Sequence, residues 1–582
     1  MISNALRVIF IVGPFLGFFL ATLGVIELLD RVLFKSGLAF WSVCVLMMVF
    51  LIFQRNNRLL HGMGNQVQWY KFALAAAALI APFLPAIYES VLVSSGDFPR
   101  VFFGVDSPYH LSQVFSLLQN NAYPPESLNN IGVYFNYHYG TQLVAAAICK
   151  QFGLLPHFVY FALVPGLFLF SAACCVYFLM LKFDDSLSAA AFLFLLLGGF
   201  YYLANDWDGG AYIFGVESFN AHFPHISTLS VMCLFVFTVY FYEFFSDSKT
   251  GFILLTLMPS IVLLFKSPFF LHFAAFSFGG LAIKAIRQRL SVFHAICIIT
   301  SSLFFLFISF YVGNGNAELR FAGLLSKADL NWRMLLKIFI FIVLPFSLLI
   351  IYSTRWVLFD TIPYLFAVCF PLALIYSFDL VINGNVDPNI RQFVTLAPFF
   401  LYAALIRLLH GTNLSLFMRI SALVLYLSAG GFLAAANRIS NLLVVHSDNS
   451  LGHEYVNNFS LAECLEKIPV HNSLLVTNDL RYPANNFWRT MMQMQIPGLF
   501  GHRMYAGNLR WEKYFVDKER FEKQESLVKG SVKSIEHFVK TLGWTHGVFF
   551  KRKEFIRGNW PVVCENNEVV IVSFKKVNDE LE

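Results

Sequence analysis

Charged residues are scarce in this sequence. Asp, Glu, Lys and Arg make up 13% of its 582 residues, whereas soluble globular proteins carry about 25%. Hydrophobic residues make up 58%, and the mean hydropathy is +0.64. This composition excludes a single water-soluble core and predicts a polytopic α-helical membrane protein.

A concentrated basic patch and a metal-binding cysteine pattern are also missing. The net charge of +6 is small for this length and lies largely in short loops, which argues against nucleic-acid binding. Seven of the nine cysteines lie in or beside apolar segments, where a thiol acts as a small hydrophobe. Cys464 and Cys564 could pair if the C-terminal region is exported, although two cysteines alone fix no geometry.

Long apolar runs fill the first 440 residues, and about thirteen of them are long enough to cross a bilayer. The predicted spans are residues 8–28, 37–53, 71–93, 156–181, 186–204, 226–246, 251–265, 267–287, 291–313, 335–353, 357–381, 393–409 and 419–437. The first run exceeds a signal-peptide core and lacks a small-x-small cleavage site, so we expect it to remain as a membrane helix.

Lysine and arginine in the short loops predict the orientation, because positive residues resist translocation. Arg55, Arg58, the basic segment 284–289, Arg355 and Arg419 mark the cytoplasmic side, together with the N-terminus. The segments expected outside are 94–155, 205–225, 314–334, 382–392 and the C-terminal region. Residues 140–149 are too short to cross and predict an interfacial or re-entrant helix.

The sequence divides into a transmembrane domain, residues 1–439, and an extracytoplasmic α/β domain, residues 440–582. Charges become regular in the second part, and Ser460, with a glutamate three residues later, predicts a helix start. Short β-type runs follow at residues 473–477, 547–550 and 569–574, with helical stretches at 486–495 and 510–522. The favoured interpretation is that this domain is a supporting lid without chemistry of its own.

The first predicted outer loop contains an Asp-Ser-Pro-Tyr-His sequence from Asp106 to His110. If a helix begins at Ser107, Asp106 caps it and His110 lies one turn on, facing the same way. Asp106 could then accept a proton from a hydroxyl, while His110 orients it or binds a phosphate. The alternative is that Asp106 only caps the helix.

Tyr137 and His138 belong to an aromatic stretch in the same loop. Such residues are typical of the aromatic belt at a membrane surface. Their hydroxyl and imidazole groups equally suit a bound carbohydrate, so we retain both residues as candidate substrate contacts.

The second predicted outer loop is rich in carboxylate and imidazole groups. Asp206, Asp208, Glu217, His222 and His225 could hold a divalent cation such as Mg or Mn, or a diphosphate through one. The spacing matches no tight metal motif. Direct hydrogen bonds from Glu217, His222 and His225 to a substrate are the alternative, with Asp206 and Asp208 as the metal candidates.

Two cations interrupt apolar surroundings at predicted outer ends of spans. Lys266 precedes Pro268, which prevents ordinary helix continuation, and Arg391 lies just before a span. A lipid-linked phosphate would neutralise such cations, although contact with ordinary lipid headgroups explains either one equally well.

These segments together are similar to those of the polytopic glycosyltransferase superfamily C, in its bacterial and archaeal branches. The resemblance lies in the residues around Asp106 and His110, in Pro124-Pro-Glu126 and in Tyr137-His-Tyr-Gly140. It implies many spans, a long first outer loop and often a C-terminal extracytoplasmic domain, in a bacterial inner (plasma) membrane.

The resemblance also implies an activity: inverting transfer of a sugar from a polyprenyl-phosphate donor to a glycan, lipid or protein acceptor, as in cell-envelope glycan biosynthesis. Asp106 then corresponds to the family's loop aspartate, the general base, and the Glu217 to His225 segment flanks the same cavity. One departure matters: Ser107 follows Asp106, so the paired Asp-Glu of mannosyl- and oligosaccharyl-transferring members is absent.

Two other classes of function fit the same features. A transporter or flippase for a lipid-linked glycan would use the same aromatic residues and cations, but internal repeats and helices broken at the midplane are not evident. A structural or assembly subunit whose C-terminal domain binds partners is the third interpretation.

Overall fold

A computed structural model describes most of the chain. The described residues are 2–54, 69–80, 107–134, 136–183, 226–246, 248–287, 291–312, 317–323, 336, 339–382, 385–386, 396–427, 458–471, 473–478, 496–497, 500–506, 518–551 and 554–574.

The first part of the chain is helical. Helices α1 to α14 are, in order, Ile2–Leu29, Ala39–Gln54, Trp69–Ile80, Ser107–Gln119, Gly140–Phe152, Pro156–Lys182, Ile226–Phe245, Lys249–Phe265, Phe270–Arg287, Val292–Val312, Leu344–Ile351, Arg355–Ser377, Ala397–Gly411 and Leu416–Leu427. A π-helical turn, Asp30–Phe34, extends α1.

Five helices within the described residues are long and apolar enough to cross a bilayer, which indicates a membrane protein. These segments are Val12–Phe34, Pro156–Lys182, Ser267–Arg287, Val292–Val312 and Arg355–Ser377. Each predicted span coincides in whole or in part with a helix, except residues 186–204, which lie outside the described ranges.

The helices pack as one layered bundle. Helix α1 packs against α5 and α6, α6 packs against α7, and α7 against α8. Helices α9, α12 and α13 form a neighbouring group, in which α12 contacts both others. Aliphatic and aromatic side chains form a continuous core between them, with single buried polar groups such as Ser171, Thr238 and Glu243.

Helix α5 covers the short apolar segment for which the sequence predicts an interfacial or re-entrant helix. Its residues from Gly140 to Cys149 are all buried, largely against α1 and α4. The choice between the two alternatives stays a prediction.

The helical conformation is interrupted between α8 and α9, at the position that the sequence predicts. Lys266 has extended backbone angles, φ −159° and ψ 99°, and a single 3₁₀ turn, Ser267–Phe269, leads into α9. Pro268 cannot donate a backbone hydrogen bond, so the helix restarts rather than continuing through this point.

The end of the predicted span 357–381 and parts of the predicted loops 314–334 and 382–392 pair instead in a small antiparallel sheet, so that span was predicted too long: its helix ends at Ser377. The strands of the sheet are β1, Ala317–Phe321, β2, Phe378–Ile382, and β3, Asn385–Val386. The sequence analysis missed these strands because β1 lies in a stretch of mixed polarity without a clear alternating pattern.

The described residues after 458 contain both strands and helices. Strands β4 to β8 are Leu474–Thr477, Arg503–Met504, His546–Phe550, Val562–Glu565 and Val569–Ser573, and helices α15 to α17 are Asn458–Leu465, Lys518–Lys529 and Val532–Leu542. The sheet order is β5-β4-β6-β8-β7, with β4 parallel to both neighbours and the other pairs antiparallel.

Three details of this region differ from, or add to, the prediction. Helix α15 begins at Asn458, so Ser460 lies in its first turn rather than at its cap. Cys464 and Cys564 form a disulfide that joins α15 to β7. The predicted helix 486–495 lies outside the described residues.

Candidate functional site

His110 lies in a buried polar group on α4, a helix whose described part runs from Ser107 to Gln119. Its side chain is buried, and its Nδ1 lies 3.0 Å from Gln142 Nε2 on α5. The same Gln142 nitrogen donates to Gln113 Oε1 at 2.9 Å. Gln113 Oε1 also lies 3.3 Å from His110 Nδ1, so this nitrogen can either accept from Gln142 or donate to Gln113, depending on the tautomer of the ring.

The two glutamines have further hydrogen-bonding capacity. Gln113 Nε2 and Gln142 Oε1 are buried, and neither has a hydrogen-bond partner among the described residues. A buried amide group without a partner costs about 1 to 3 kcal/mol. Such groups are therefore suited to bind a polar ligand at this position.

Tyr137 and His138 lie beside His110 and reach the break between α8 and α9. The Tyr137 and His138 rings stack with centroids 3.7 Å apart, and the Tyr137 ring lies 6.2 Å from that of His110. His138 Nδ1 is 3.4 Å from Ser267 Oγ, next to the buried Lys266. We call these seven residues the loop cluster: His110, Gln113, Tyr137, His138, Gln142, Lys266 and Ser267.

A tyrosine that the sequence analysis did not select fixes the aromatic stretch. Tyr123 Oη donates to the carbonyl oxygens of Tyr137 and Tyr311, each at 3.4 Å. Burial raises the pKa of the Tyr123 phenol, so this hydroxyl remains a donor at any physiological pH. Tyr123 thus ties the first loop to the end of α10.

A small cleft of about 10 Å³, room for a single water molecule, lies next to the loop cluster and shares Gln113 with it. The polar groups in its lining are hydroxyl, amide and carboxylate groups. They come from Tyr109, Ser112, Gln113, Ser116, Glu126 and Ser127. These groups can hydrogen-bond a hydroxyl group at the mouth of the cleft.

The C-terminal domain covers the loop that forms this cleft. Met504 N donates to Leu128 O at 2.7 Å, and Ile131 N donates to Met504 O at 3.0 Å, so the loop pairs with strand β5. Gln119 Nε2 donates to Gly501 O at 2.7 Å. The C-terminal region therefore lies directly against the segment between α4 and α5.

Most of the other predicted site residues lie outside the described residues. These are Asp106, Asp206, Asp208, Glu217, His222, His225 and Arg391. Among the described residues, no three His, Cys, Asp or Glu side chains are grouped as a metal site. The divalent cation at Asp206 and Asp208 stays a prediction.

Sequence reasoning missed Gln113, Gln142, Tyr123 and Ser267. Gln113 lies three residues after His110, a spacing that places both on one face of a helix, and this was the one available signal. Gln142 and Ser267 approach the site only through tertiary packing, so no local pattern marks them.

The described residues form a largely helical protein with five helices apolar enough to cross a membrane, a buried polar cluster, and a disulfide between Cys464 and Cys564 in the C-terminal region. A scan of the sequence against protein-family models gives no match, and neither does a search of curated proteins. Any functional assignment therefore depends on the residues themselves.

Proposed function

We propose that this protein is a membrane glycosyltransferase that transfers a sugar from a polyprenyl-phosphate donor to a glycan, lipid or protein acceptor on the extracytoplasmic face. The loop cluster is the observation that carries the proposal. His110, Tyr137 and His138 are three of the residues selected from the sequence, and the 3.4 Å contact between His138 and Ser267 brings them to the helix break that follows Lys266, which supports the proposal.

The reaction needs few groups, because the donor already has a phosphate as its leaving group. In the proposed step, the bond between the anomeric carbon and the phosphate oxygen breaks as the acceptor hydroxyl oxygen attacks that carbon from the opposite face. Asp106 takes the hydroxyl proton. The departing lipid phosphate keeps the electron pair, and the Lys266 ammonium group stabilises its charge.

The neutral side chains of the cluster position the two substrates. The His110 N–H can donate either to the Asp106 carboxylate or to a phosphate oxygen, which are the two roles expected from the sequence. The amides of Gln113 and Gln142 supply further donors and acceptors for sugar hydroxyls. The cleft below the C-terminal domain is the proposed acceptor side.

The disulfide supports an extracytoplasmic position for the C-terminal domain. Disulfides persist in oxidising compartments and are rare in the cytoplasm. Since the bond between Cys464 and Cys564 holds that domain together, and the domain contacts the first loop, the loop cluster is proposed to face the same side.

Transfer by purified protein in detergent tests this proposal, because detergent removes the two compartments that a flippase requires. The assay uses radiolabelled polyprenyl-phosphate sugars with candidate acceptors, in the presence and absence of Mg²⁺ or Mn²⁺. Asp106→Asn is expected to lower turnover at least about a hundredfold. Asp97→Asn removes a carboxylate from the same loop and should retain turnover.

Equal turnover by Asp106→Asn and wild type would remove Asp106 from the mechanism. Donor binding with no transfer to any acceptor, together with donor movement between leaflets in vesicles, would favour the transporter interpretation. Each variant must elute as a single species in detergent, so that a loss of activity is not a loss of folding.

A further inference from the structure

The small sheet of β1, β2 and β3 lies at the same end of the helices as the loop cluster. Residues 313–316 connect α10 to β1, and β2 follows α12 directly. Because β1 and β2 pair, the ends of α10 and α12 that lead into them lie on one side. Tyr123 Oη, from the segment between α4 and α5, donates to Tyr311 O near that end of α10 at 3.4 Å.

The small sheet is held close to the membrane surface by its connection to α12. Phe378, the first residue of β2, comes directly after Ser377, the last residue of α12. Ala322 N donates to Ser377 O at 2.9 Å, so the end of β1 is fixed at the same point. The five residues of β1 extend only about 17 Å. The whole strand therefore stays near the end of a helix that is long and apolar enough to cross a bilayer.

The two faces of the small sheet differ in chemistry. Leu319 and Phe321 alternate with Glu318 and Arg320 along β1, so each pair lies on its own face. Phe378 is paired with Phe321 across the strands, and the centroids of their rings lie 5.3 Å apart. One face therefore carries large apolar side chains, and the other carries charged ones.

The rest of the chain leaves the apolar face uncovered. Leu319 is 57% exposed, and Phe321 is 61% exposed. Val381 is paired with Glu318 and so lies on the charged face, yet it is buried. The fold thus covers part of the charged face and leaves the apolar face open. An antiparallel sheet in water shows the reverse arrangement, with its apolar face against the core.

The surface of α10 indicates what covers the apolar face. The exposed apolar side chains of this helix recur at helical spacing, at Ile299, Leu303, Leu306 and Phe310. Each is more than half exposed, and Phe310 is 73% exposed. An open apolar stripe along a membrane-spanning helix contacts the acyl chains of the bilayer. This stripe reaches the end of α10 from which the chain continues into β1, so the sheet face adjoins a surface that lipid already covers.

We propose that the apolar face of the small sheet lies in the membrane surface and contacts lipid acyl chains in the leaflet next to the loop cluster. Exposed apolar patches mark such contacts, and the charged face then points to water, as in an interfacial amphipathic helix. A second copy of this chain is the alternative occupant. A stable interface between proteins buries about 800 Å² on each partner, and Leu319, Phe321 and Phe378 offer far less than that. The lipid contact is independent of the proposed sugar transfer.

Photocrosslinking of the full chain in vesicles of dioleoyl phosphatidylcholine tests this contact. The test variant is Leu319→p-benzoylphenylalanine. The matched control is Arg320→p-benzoylphenylalanine, at a neighbouring and similarly exposed position on the charged face. Mass spectrometry measures the fraction of the chain that carries a lipid adduct after illumination. We expect at least about fivefold more adduct from residue 319 than from residue 320, because their side chains point to opposite faces of the sheet.

Equal adduct yields from residues 319 and 320 would overturn the proposal. Crosslinks from residue 319 to a second copy of the chain, in place of lipid, would also overturn it. Smaller substitutions provide a second measurement if the bulky side chain prevents folding. Leu319→Trp and Arg320→Trp are each compared with wild type in vesicles of phosphatidylcholine with brominated acyl chains. Bromine should quench the added fluorescence of Leu319→Trp only, and equal quenching in both variants would contradict the lipid contact.

Discussion

Glu126 and Arg503 form an ion pair between the first loop and strand β5 of the C-terminal domain, with 3.0 Å between Oε2 and Nη2. Glu126 Oε1 also accepts a hydrogen bond from the backbone N–H of Gly132 at 2.7 Å. One carboxylate thus shapes the loop that lines the cleft and holds the domain above it. Neither role is visible in the local sequence.

Arg503→Gln should loosen this contact. The arginine is partly exposed, so we expect a loss of about 1 kcal/mol, which corresponds to about fivefold faster amide exchange at Ile131 and Met504. Hydrogen–deuterium exchange measures this directly. Lys551→Gln, which breaks the surface pair with Glu565 in the same domain, should leave both amides unchanged. Equal exchange in the two variants would contradict the docking role of Arg503.

Gly501→Ala should disturb the same interface through steric contact. Gly501 has φ +77°, and an added Cβ would lie 2.9 Å from Phe115 and Gln119 on α4. Gly543 has φ +70° but open space around the same position, so Gly543→Ala carries a similar backbone cost of about 1 to 2 kcal/mol without the clash. Limited proteolysis near residue 501 should increase only in Gly501→Ala. Similar cleavage of both variants would show that backbone strain, and not the approach to α4, decides the effect.

Removing the disulfide should destabilise the C-terminal domain. Cys464 and Cys564 are 100 residues apart, and loss of such a crosslink typically costs about 2 to 4 kcal/mol. We expect Cys464→Ser to lower the unfolding midpoint and to raise amide exchange in β8. Cys369→Ser, which replaces an exposed free cysteine, is the control. If reductant changes wild type and Cys464→Ser to the same extent, the crosslink does not stabilise the domain.

Acid should weaken the C-terminal domain through His502. Burial, with a smaller contribution from the nearby His546, outweighs the hydrogen bond to the Leu465 carbonyl oxygen and lowers the pKa of this imidazole from 6.5 to about 4. The unfolded chain therefore binds a proton more readily, so the stabilisation is complete above pH 6.5 and is lost as the pH falls from 6.5 to 4. Between pH 7 and pH 5 we expect a loss of about 2 kcal/mol.

His502→Gln should flatten this pH dependence, whereas His537→Gln, at an exposed position, should retain it. The measurement is denaturant unfolding of the full chain at several pH values, with amide hydrogen exchange in β6 as the readout. An unchanged slope in His502→Gln would assign the acid sensitivity to another group.

Hydropathy alone predicted most of the bundle, because a span must be long and apolar wherever its neighbours lie. Pro268 and Lys266 likewise predicted the break between α8 and α9, since a missing N–H acts locally. The α/β pattern of the C-terminal region could also be predicted, because β-branched runs and helical stretches alternate there. Strands β1 and β2 could not be predicted. Their paired residues are about sixty positions apart in the sequence, and such pairing produces no local sequence pattern.

The sequence by itself determined that the chain is apolar enough for a membrane and that a helix is interrupted at Lys266. It also determined that His110, Tyr137 and His138 carry groups able to bind a substrate. Tertiary structure decided which of these groups meet: Gln142 and Ser267 join them across helices, and Glu126 joins the loop to Arg503. The physical reason is the distance along the sequence over which each interaction acts. Hydrophobicity and backbone preferences act over a few residues, whereas hydrogen bonds and ion pairs across the fold depend on how distant segments pack.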